Sequence, residues 1–380
     1  MNPIRLSDVP DSCALLKPDL EKALHLVLSQ GNFIKGSQVS EFAQALSNYL
    51  QGPEVIPCGN GTDALQIALM ALDLPPGSEV IVPVFNYVSA VEAVALLGLV
   101  PVFADVLPDT FNLDPVSVER KISYKTRAII AVHLFGQCAD LKALTDLART
   151  HELYLIEDNA QSLGAQYLTN DGSRYFAGTI GHIGTTSFFP TKMLGALGDG
   201  GALFTKDEEL ATMIRQIASH GQSRKYTYER IGVNSRLDTL QAAFLLVKFK
   251  YLNSYIEQRQ LLAQQYDDNL QSSNLIELPA RANYSTHVFN QYVVQVPAEQ
   301  RENLRAFLLR KQVPTAIYYA TPLHHQPAYQ YLGNFTGDFP VAENICQKVL
   351  ALPMHPALTL EQINYVSACI MEFEESLTLS

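Results

Sequence analysis

One lysine of this sequence has neighbours that suit covalent chemistry. Lys192 lies in the stretch 185–201, where a short apolar segment carrying Ser187 leads through Pro190 into a glycine-rich run. Glycines let a backbone approach a ligand closely and adopt positive φ angles. A partly desolvated lysine has a lowered pKa and can attack a carbonyl carbon as a free amine. Taken alone, the same stretch also fits an ordinary surface lysine in a loop.

A carboxylate follows another apolar strand. Asp158 comes directly after Tyr154-Leu-Ile-Glu157. A buried carboxylate is costly unless it is paired with a cation or hydrogen-bonded, and a protonated pyridine nitrogen is one such cation. Asp158 and Asn159 are also good helix N-cap residues, so a capping role remains open for this segment.

The stretch Gly59–Ala64 opens a helix and offers a seat for phosphate. The free N–H groups and positive dipole end of a helix N-terminus bind anions. The stretch also matches the loose G-x-G-x-x-A pattern of nicotinamide enzymes. That second interpretation is weak, because the preceding strand is short and contains Pro57, and Glu79 precedes the next strand instead of ending it. A tight turn without a ligand is the third alternative.

An aromatic residue ends the strand that follows this helix. Tyr87 comes after Val82-Pro-Val-Phe-Asn86. At a strand end it can stack on a flat heterocycle, since offset ring stacking contributes about 1 kcal/mol beyond area burial. Packing in the core is its other role.

Composition limits the partners and the compartment. The net charge of -11 disfavours nucleic acid and anionic membranes, which need a basic face. The five cysteines are odd in number and lack metal-type spacing, so we expect no metal and no disulfide framework. No apolar run is long enough to span a bilayer and no leader pattern is present, which indicates a cytoplasmic protein without membrane contact.

Strands and helices alternate over the first half of the chain. This pattern predicts an α/β fold with a mostly parallel sheet sandwiched by helices, and ligands of such sheets bind at the carboxyl ends of the strands. From Leu237 the pattern predicts one long helix, followed by a strand, a helix, a second strand and two closing helices. We therefore expect a large domain over 1–245 and a smaller C-terminal α+β domain over 246–380. The predicted elements are helices at 18–29, 39–50, 65–72, 88–97, 140–149, 208–219, 299–311, 342–350 and 360–372, and strands at 80–83, 100–104, 128–133, 154–157, 185–189, 202–205, 288–296 and 315–319.

Taken together, these motifs resemble a known family. The ordered set of phosphate seat, aromatic, carboxylate and lysine, the long match Gly232–Ala243 and the segment Leu352–Pro356 resemble the sugar-nucleotide aminotransferases of the DegT/StrS type. These are fold-type I pyridoxal-phosphate enzymes, and the resemblance spans essentially the whole chain. It implies that Lys192 holds pyridoxal 5'-phosphate covalently and that Asp158 pairs with its ring nitrogen.

The resemblance also implies the remaining cofactor contacts and a homodimer. In this family an asparagine, here Asn234, reaches the cofactor phosphate of the neighbouring subunit, so two chains share each site. The other implied contacts are phosphate binding by Gly61, Thr62 and Ser187, ring stacking by Tyr87, and a contact of Gln161 with the ring-oxygen side.

For the substrates, the resemblance implies glutamate as amino donor and a nucleotide-linked keto sugar as acceptor. The segments around Lys192 and 220–236 are most similar to enzymes that aminate C3 of UDP-2-acetamido-3-keto-hexoses or their uronic acids, for polysaccharide and lipopolysaccharide sugars. Amination of 4-keto or 3-keto-6-deoxy dTDP- or UDP-sugars is the alternative. A sugar dehydratase, which has histidine in place of the lysine, a non-catalytic aminosugar sensor and a nicotinamide-dependent oxidoreductase are less favoured. The candidate substrate residues are Arg224, Arg230, Arg236, Tyr318, Tyr319 and His324; each arginine could instead be a solvated surface charge.

Overall fold

A seven-stranded sheet forms the centre of the part of the chain that the computed structural model describes, residues 3–7 and 9–378. The strands are β1 Glu54–Cys58, β2 Glu79–Pro83, β3 Val100–Ala104, β4 Thr126–Val132, β5 Tyr154–Asp158, β6 Gln166–Leu168, β7 Arg174–Phe176, β8 Ile183–Ser187, β9 Gly201–Thr205, β10 Gln222–Arg224, β11 Thr227–Tyr228, β12 Tyr292–Gln295 and β13 Val349–Leu352. The helices are α1 Val9–Gln30, α2 Ser37–Tyr49, α3 Gly61–Ala71, α4 Ser89–Leu96, α5 Pro115–Lys121, α6 Leu141–Thr150, α7 Glu208–Ile217, α8 Thr239–Phe249, α9 Leu252–Leu270, α10 Ala298–Arg310, α11 Pro340–Lys348 and α12 Leu360–Thr378.

The sheet is mostly parallel. Its order is β1-β9-β8-β5-β4-β2-β3, and only β9 runs against its neighbours. Successive side chains of a strand point to opposite faces, and β4 shows this directly: Ile130 packs into the core on one face, and Ile129 and Ala131 pack into the core on the other. Burial on both faces explains why these strands are nearly continuous apolar runs.

A further core lies in the C-terminal part of the chain. Helices α9, α10 and α12 cover the antiparallel pair β12–β13, and the rings of Tyr266 and Tyr292 stack at 4.7 Å inside this core. That this core forms a separate smaller α+β domain stays a prediction. The boundary between residues 245 and 246 stays a prediction.

Four predicted elements differ from the structure. Helix α1 begins at Val9 and contains Pro18 in its interior, where we expected Pro18 in the first turn. The single long helix after Leu237 is two helices, because the chain turns at 250–251 between α8 and α9. The segment 315–319 forms no strand and pairs through one bridge, Ala316 to Ala351. The helix expected over 342–350 ends at Lys348, since the last residues enter β13 and pair with β12, and tertiary pairing overrides local propensity.

None of the helices within the described residues has both the length and the apolar character needed to cross a bilayer.

The buried Arg259 of α9 connects three segments of the C-terminal core. Its Nη1 atom lies 3.0 Å from the carbonyl oxygen of Phe289, 3.3 Å from that of Asn290 and 3.0 Å from that of Met354. We expect Arg259→Met to lower the free energy of unfolding by about 2–4 kcal/mol, because it leaves buried carbonyl groups without their donor. Urea unfolding measures this. The exposed Arg310→Met is the control, with an expected change within about 0.5 kcal/mol. Equal stability of the two variants would contradict this role.

Candidate active site

Two neighbouring parallel strands bring the predicted lysine and carboxylate to one edge of the sheet. Asp158 ends β5 and pairs in register with Thr185 of β8. After β8 the chain folds back on itself: the N–H of Lys192 donates to the Phe189 carbonyl at 2.9 Å, and that of Ala196 to the Phe188 carbonyl at 2.8 Å. This turn requires Gly195, since a Cβ atom there would lie 2.3 Å from the Pro190 oxygen.

Lys192 and Asp158 act on each other electrostatically in a buried setting. Burial lowers the pKa of Lys192, and the negative charge of Asp158 opposes that shift. Burial likewise raises the pKa of Asp158, opposed by the Ala160 N–H, which donates to Oδ1 at 3.0 Å, and by Lys192. Within the described residues, Nζ of Lys192 makes no hydrogen bond or ion pair at contact distance. The lysine is therefore biased towards the free amine, the reactive form for attack on a carbonyl.

The start of α3 forms an anion seat next to Ser187. Asn60 caps the helix by accepting from the N–H of Asp63 at 2.8 Å. The N–H groups of Gly61 and Thr62 have no protein acceptor in the described part of the chain, so they are available to an anion. A Cβ atom on Gly61 would lie 2.7 Å from Cβ of Ser187, so only glycine allows this approach. The structure thus places Gly61 beside Ser187 and Thr62 in the same first turn, and their binding of a phosphate stays a prediction.

The predicted ring contacts also lie at this edge. Gln161 accepts a hydrogen bond from the Phe135 N–H at 2.8 Å and donates one to the Tyr319 hydroxyl at 3.2 Å. Tyr87 is 58% exposed, and its ring centroid is 6.4 Å from that of Tyr319. The exposed ring of Tyr87 is free to stack on a flat ligand, whereas a core residue would be covered.

Sequence reasoning missed a buried pair next to Asp158. Nε2 of His133 lies 2.8 Å from Oε2 of Glu157, and both side chains are fully buried. The Ala139 N–H donates to Nδ1 of His133, so Nε2 carries the hydrogen that Glu157 accepts. Burial alone raises the pKa of Glu157, but the hydrogen bonds from His133, Gly181 and Gly178 outweigh it and hold that pKa below its ordinary range. The signal in the sequence was the alternation of a strand: neighbouring Glu157 and Asp158 point to opposite faces.

Asn234 and Arg236 flank Ser235, whose hydroxyl joins this segment to the start of α3 by accepting from the Gly59 N–H at 2.9 Å. Arg224 is exposed in the β10–β11 hairpin, and Asn234 is exposed with its backbone bridged to Ser219. Arg230 and Arg236 are half-buried, and each has a buried Nε without a hydrogen-bond partner in the described structure. Such unsatisfied guanidinium nitrogens are suited to an anionic ligand or partner.

His324 lies in a packed position. Its ring is 4.8 Å from that of Phe339, and its Nε2 atom is 3.1 Å from Oε1 of Glu343. His324, His325 and Glu343 together form the one group in the described chain whose donor atoms, all within 4.8 Å of one another, could hold a metal ion. Oε1 of Glu343 also accepts from the Gly337 N–H at 2.8 Å. Glu343 therefore connects the segment around His324 to α11 through hydrogen bonds. Tyr318 is half-buried and next to Tyr319.

The donor set fits pyridoxal phosphate: an amine biased to its free form, a buried carboxylate, a helix start with open N–H groups and an exposed aromatic ring. The model of the DegT/DnrJ/EryC1/StrS aminotransferase family matches residues 15–371. The chain belongs to this family. Its members are pyridoxal-phosphate-dependent enzymes of fold type I, so the chain is a sugar aminotransferase and the nicotinamide interpretation is set aside.

Individual members of the family are similar over nearly the whole chain. The UDP-2-acetamido-2-deoxy-3-oxo-D-glucuronate aminotransferase of Pseudomonas aeruginosa is 43% identical over 367 residues, covering 97% of this chain and 99% of that protein. A pleiotropic regulatory protein of Geobacillus stearothermophilus is 41% identical, covering 97% and 98%. The crystal structure of S. venezuelae DesV in complex with a ketimine intermediate superposes with a TM-score of 0.94 at 35% identity, covering 99% of both chains.

The His133–Glu157 pair gives a stability prediction. We expect Glu157→Gln to cost about 3 kcal/mol at neutral pH, because it removes a buried charge that accepts several hydrogen bonds. Since folding lowers the pKa of Glu157, its contribution to stability is complete above the pKa of glutamate in the unfolded chain and is lost as the pH falls through the lower pKa of the folded state. Urea unfolding at neutral and acidic pH should therefore show the gap between wild type and variant closing in acid. The exposed Glu257→Gln is the control. A gap that widens in acid would contradict this assignment.

Proposed function

We propose that this enzyme transfers the amino group of L-glutamate to C3 of a UDP-linked 2-acetamido-3-keto-hexose or its uronic acid. The observation that carries the proposal is the electrostatic interaction of the half-buried Lys192 with the buried Asp158, at the sheet edge where α3 also begins. The P. aeruginosa relative, named as the aminotransferase of such a uronate, supports the acceptor. A dTDP-linked keto sugar is the second candidate, supported by related transaminases of dTDP-sugars.

Each residue has a distinct duty in this reaction. Lys192 holds the cofactor and, once released, moves a proton to and from the donor's α-carbon through Nζ. Asp158 keeps the ring nitrogen protonated, while Gly61, Thr62 and Ser187 bind the phosphate. The cofactor supplies an electron sink for the charge that develops at that carbon. An intact lysine in this setting also argues for catalysis over a purely regulatory role.

Local cations must attract the acceptor, because the protein as a whole is anionic. The net charge is -11, so long-range steering disfavours a nucleotide diphosphate. Arg224, Arg230 and Arg236 provide guanidinium groups suited to a diphosphate or a sugar carboxylate. We place them, with Tyr318, Tyr319 and His324, among the candidates for acceptor recognition.

We further propose a homodimer whose subunits complete each other's sites. Asn234 is exposed, and large apolar side chains are exposed on the neighbouring segments, with Ile231 87% and Phe189 50% accessible. Exposed apolar groups beside a catalytic cleft favour coverage by a partner. In the dimer, Asn234 contacts the cofactor phosphate of the other subunit.

The product belongs, in this proposal, to the sugars of cell-surface polysaccharide or lipopolysaccharide, made in the cytoplasm. The five cysteines are free thiols, which suits a reducing compartment.

The proposed acceptor predicts that the enzyme prefers 3-keto over 4-keto nucleotide sugars, and one assay measures this preference. With glutamate as donor, we expect purified enzyme to aminate UDP-2-acetamido-3-keto sugars at least about tenfold faster, in kcat/KM, than dTDP- or UDP-4-keto sugars, the ratio that 1.4 kcal/mol of preferential transition-state binding provides. Mass spectrometry of the nucleotide sugar measures the product. Lys192→Ala should give none, with unchanged circular dichroism. Faster amination of the 4-keto sugars would refute the acceptor, and turnover by Lys192→Ala would refute the mechanism.

The shared-site proposal predicts complementation between two inactive chains. We expect Lys192→Ala and Asn234→Ala proteins, mixed under exchange conditions, to recover about a quarter of wild-type activity, because half of the dimers then contain one intact site. The control mixes Lys192→Ala with the Lys192→Ala/Asn234→Ala double variant, which offers no intact site. An active monomer, or no recovery despite demonstrated exchange, would contradict the shared site.

A further inference from the structure

The side-chain amide of Gln161 has a fixed orientation. The backbone N–H of Phe135 donates to one end of the amide at 2.8 Å, and a backbone N–H can only donate, so that end is Oε1. The opposite end is therefore the NH2 group, and one of its hydrogens goes to the hydroxyl of Tyr319 at 3.2 Å. The second hydrogen of this NH2 group remains for a ligand. The hydrogen-bond network thus decides which end of the amide is the donor.

Tyr319 is itself held rigidly. Its ring packs edge-on against Phe85 at 5.8 Å and is nearly parallel to Phe135 at 6.5 Å. Burial raises the pKa of its hydroxyl, and the nearby charge of Asp158 acts in the same direction, so the group stays protonated. It lies 158 residues from Gln161 in sequence, in the segment that links the C-terminal core to the sheet. A rigid tyrosine from another part of the chain therefore completes the surroundings of Gln161.

We propose that Tyr319 is a positioning residue. It holds the Gln161 amide so that the NH2 group donates to the hydroxyl oxygen attached to the ring of the bound cofactor, here called the ring oxygen. The proposal rests on the proposed contact of Gln161 with that oxygen. Tyr319 then acts on the cofactor through Gln161. Its hydroxyl acts as an acceptor for Gln161, a role that phenylalanine cannot take while keeping the same ring packing.

The consequence is a shift in the titration of the bound cofactor. A hydrogen-bond donor at the ring oxygen favours its ionised form and so lowers the pH at which the absorbance of the cofactor changes. We expect Tyr319→Phe to raise this midpoint by about half a pH unit and Gln161→Leu by about one unit, as expected for loss of one hydrogen bond. In the double variant, Tyr319→Phe should add nothing to the effect of Gln161→Leu.

The experiment is a pH titration of the visible absorbance of cofactor-loaded wild type, the two single variants and the double variant. Tyr266→Phe is the matched control: it also removes a buried hydroxyl, which donates to the Pro353 carbonyl at 3.0 Å, but in the C-terminal core, so the midpoint should not move. Urea unfolding of the same full-length proteins gives a second measurement. Tyr319→Phe should lower the free energy of unfolding more in the wild-type background than in the Gln161→Leu background.

The outcomes separate this inference from the proposed function. An unshifted midpoint in Tyr319→Phe, or shifts that simply add in the double variant, would overturn the positioning role while the aminotransferase stands. A wild-type protein that acquires no cofactor absorbance would overturn both. A shift in Tyr266→Phe equal to that in Tyr319→Phe would show that any lost buried hydroxyl has this effect, and would also overturn the inference.

Discussion

The site depends on one electrostatic constraint, the burial of a lysine amine and a carboxylate at the same edge of a parallel sheet. Burial pushes Lys192 towards its neutral form and Asp158 towards protonation, and each charge resists the shift of the other. Burying the Lys192 amine and the Asp158 carboxylate without full pairing lowers the stability of the fold. Pyridoxal phosphate would relieve both groups, because Lys192 would hold its aldehyde carbon and Asp158 would pair with its protonated nitrogen.

Hydrogen bonds and close packing in the surrounding fold hold these groups in place. Glu157, the neighbour of Asp158 on β5, is satisfied on the opposite face by His133 and backbone N–H groups. Gly61 and Gly201 permit approaches that any side chain would block: a Cβ atom on Gly201 would lie 2.4 Å from the Asn60 oxygen. The strand that ends in Asp158 is thus fixed by the contacts of Glu157, and the anion seat at the start of α3 is fixed by close backbone packing.

The alternation of apolar strands and helices predicted the sheet because each central strand is buried on both faces. Local sequence also indicated Lys192, Asp158 and the α3 start, since these lie at the ends of such strands. It could not give β13, where pairing with β12 decides the conformation of Val349–Leu352, or the turn between α8 and α9.

Contacts between segments that are distant in the sequence could not be predicted either. The hydrogen bond of Gln161 to Tyr319 joins residues that are 158 positions apart in the sequence, and no local pattern encodes it. The burial of His324 against Phe339 and Glu343 is of the same kind. The role proposed for Asn234 rests on family resemblance, and the roles proposed for the arginines rest on resemblance and on guanidinium chemistry, because one chain alone does not report what a second chain or a substrate supplies.

The most direct measurement locates the covalent bond to the cofactor. Wild-type protein is loaded with pyridoxal phosphate, reduced with borohydride and digested, and the peptides are sequenced by mass spectrometry. The account predicts stoichiometric modification of Lys192, with no comparable label on exposed lysines such as Lys206. A label spread over surface lysines, or an unmodified Lys192 in protein that performs amino transfer, would contradict it.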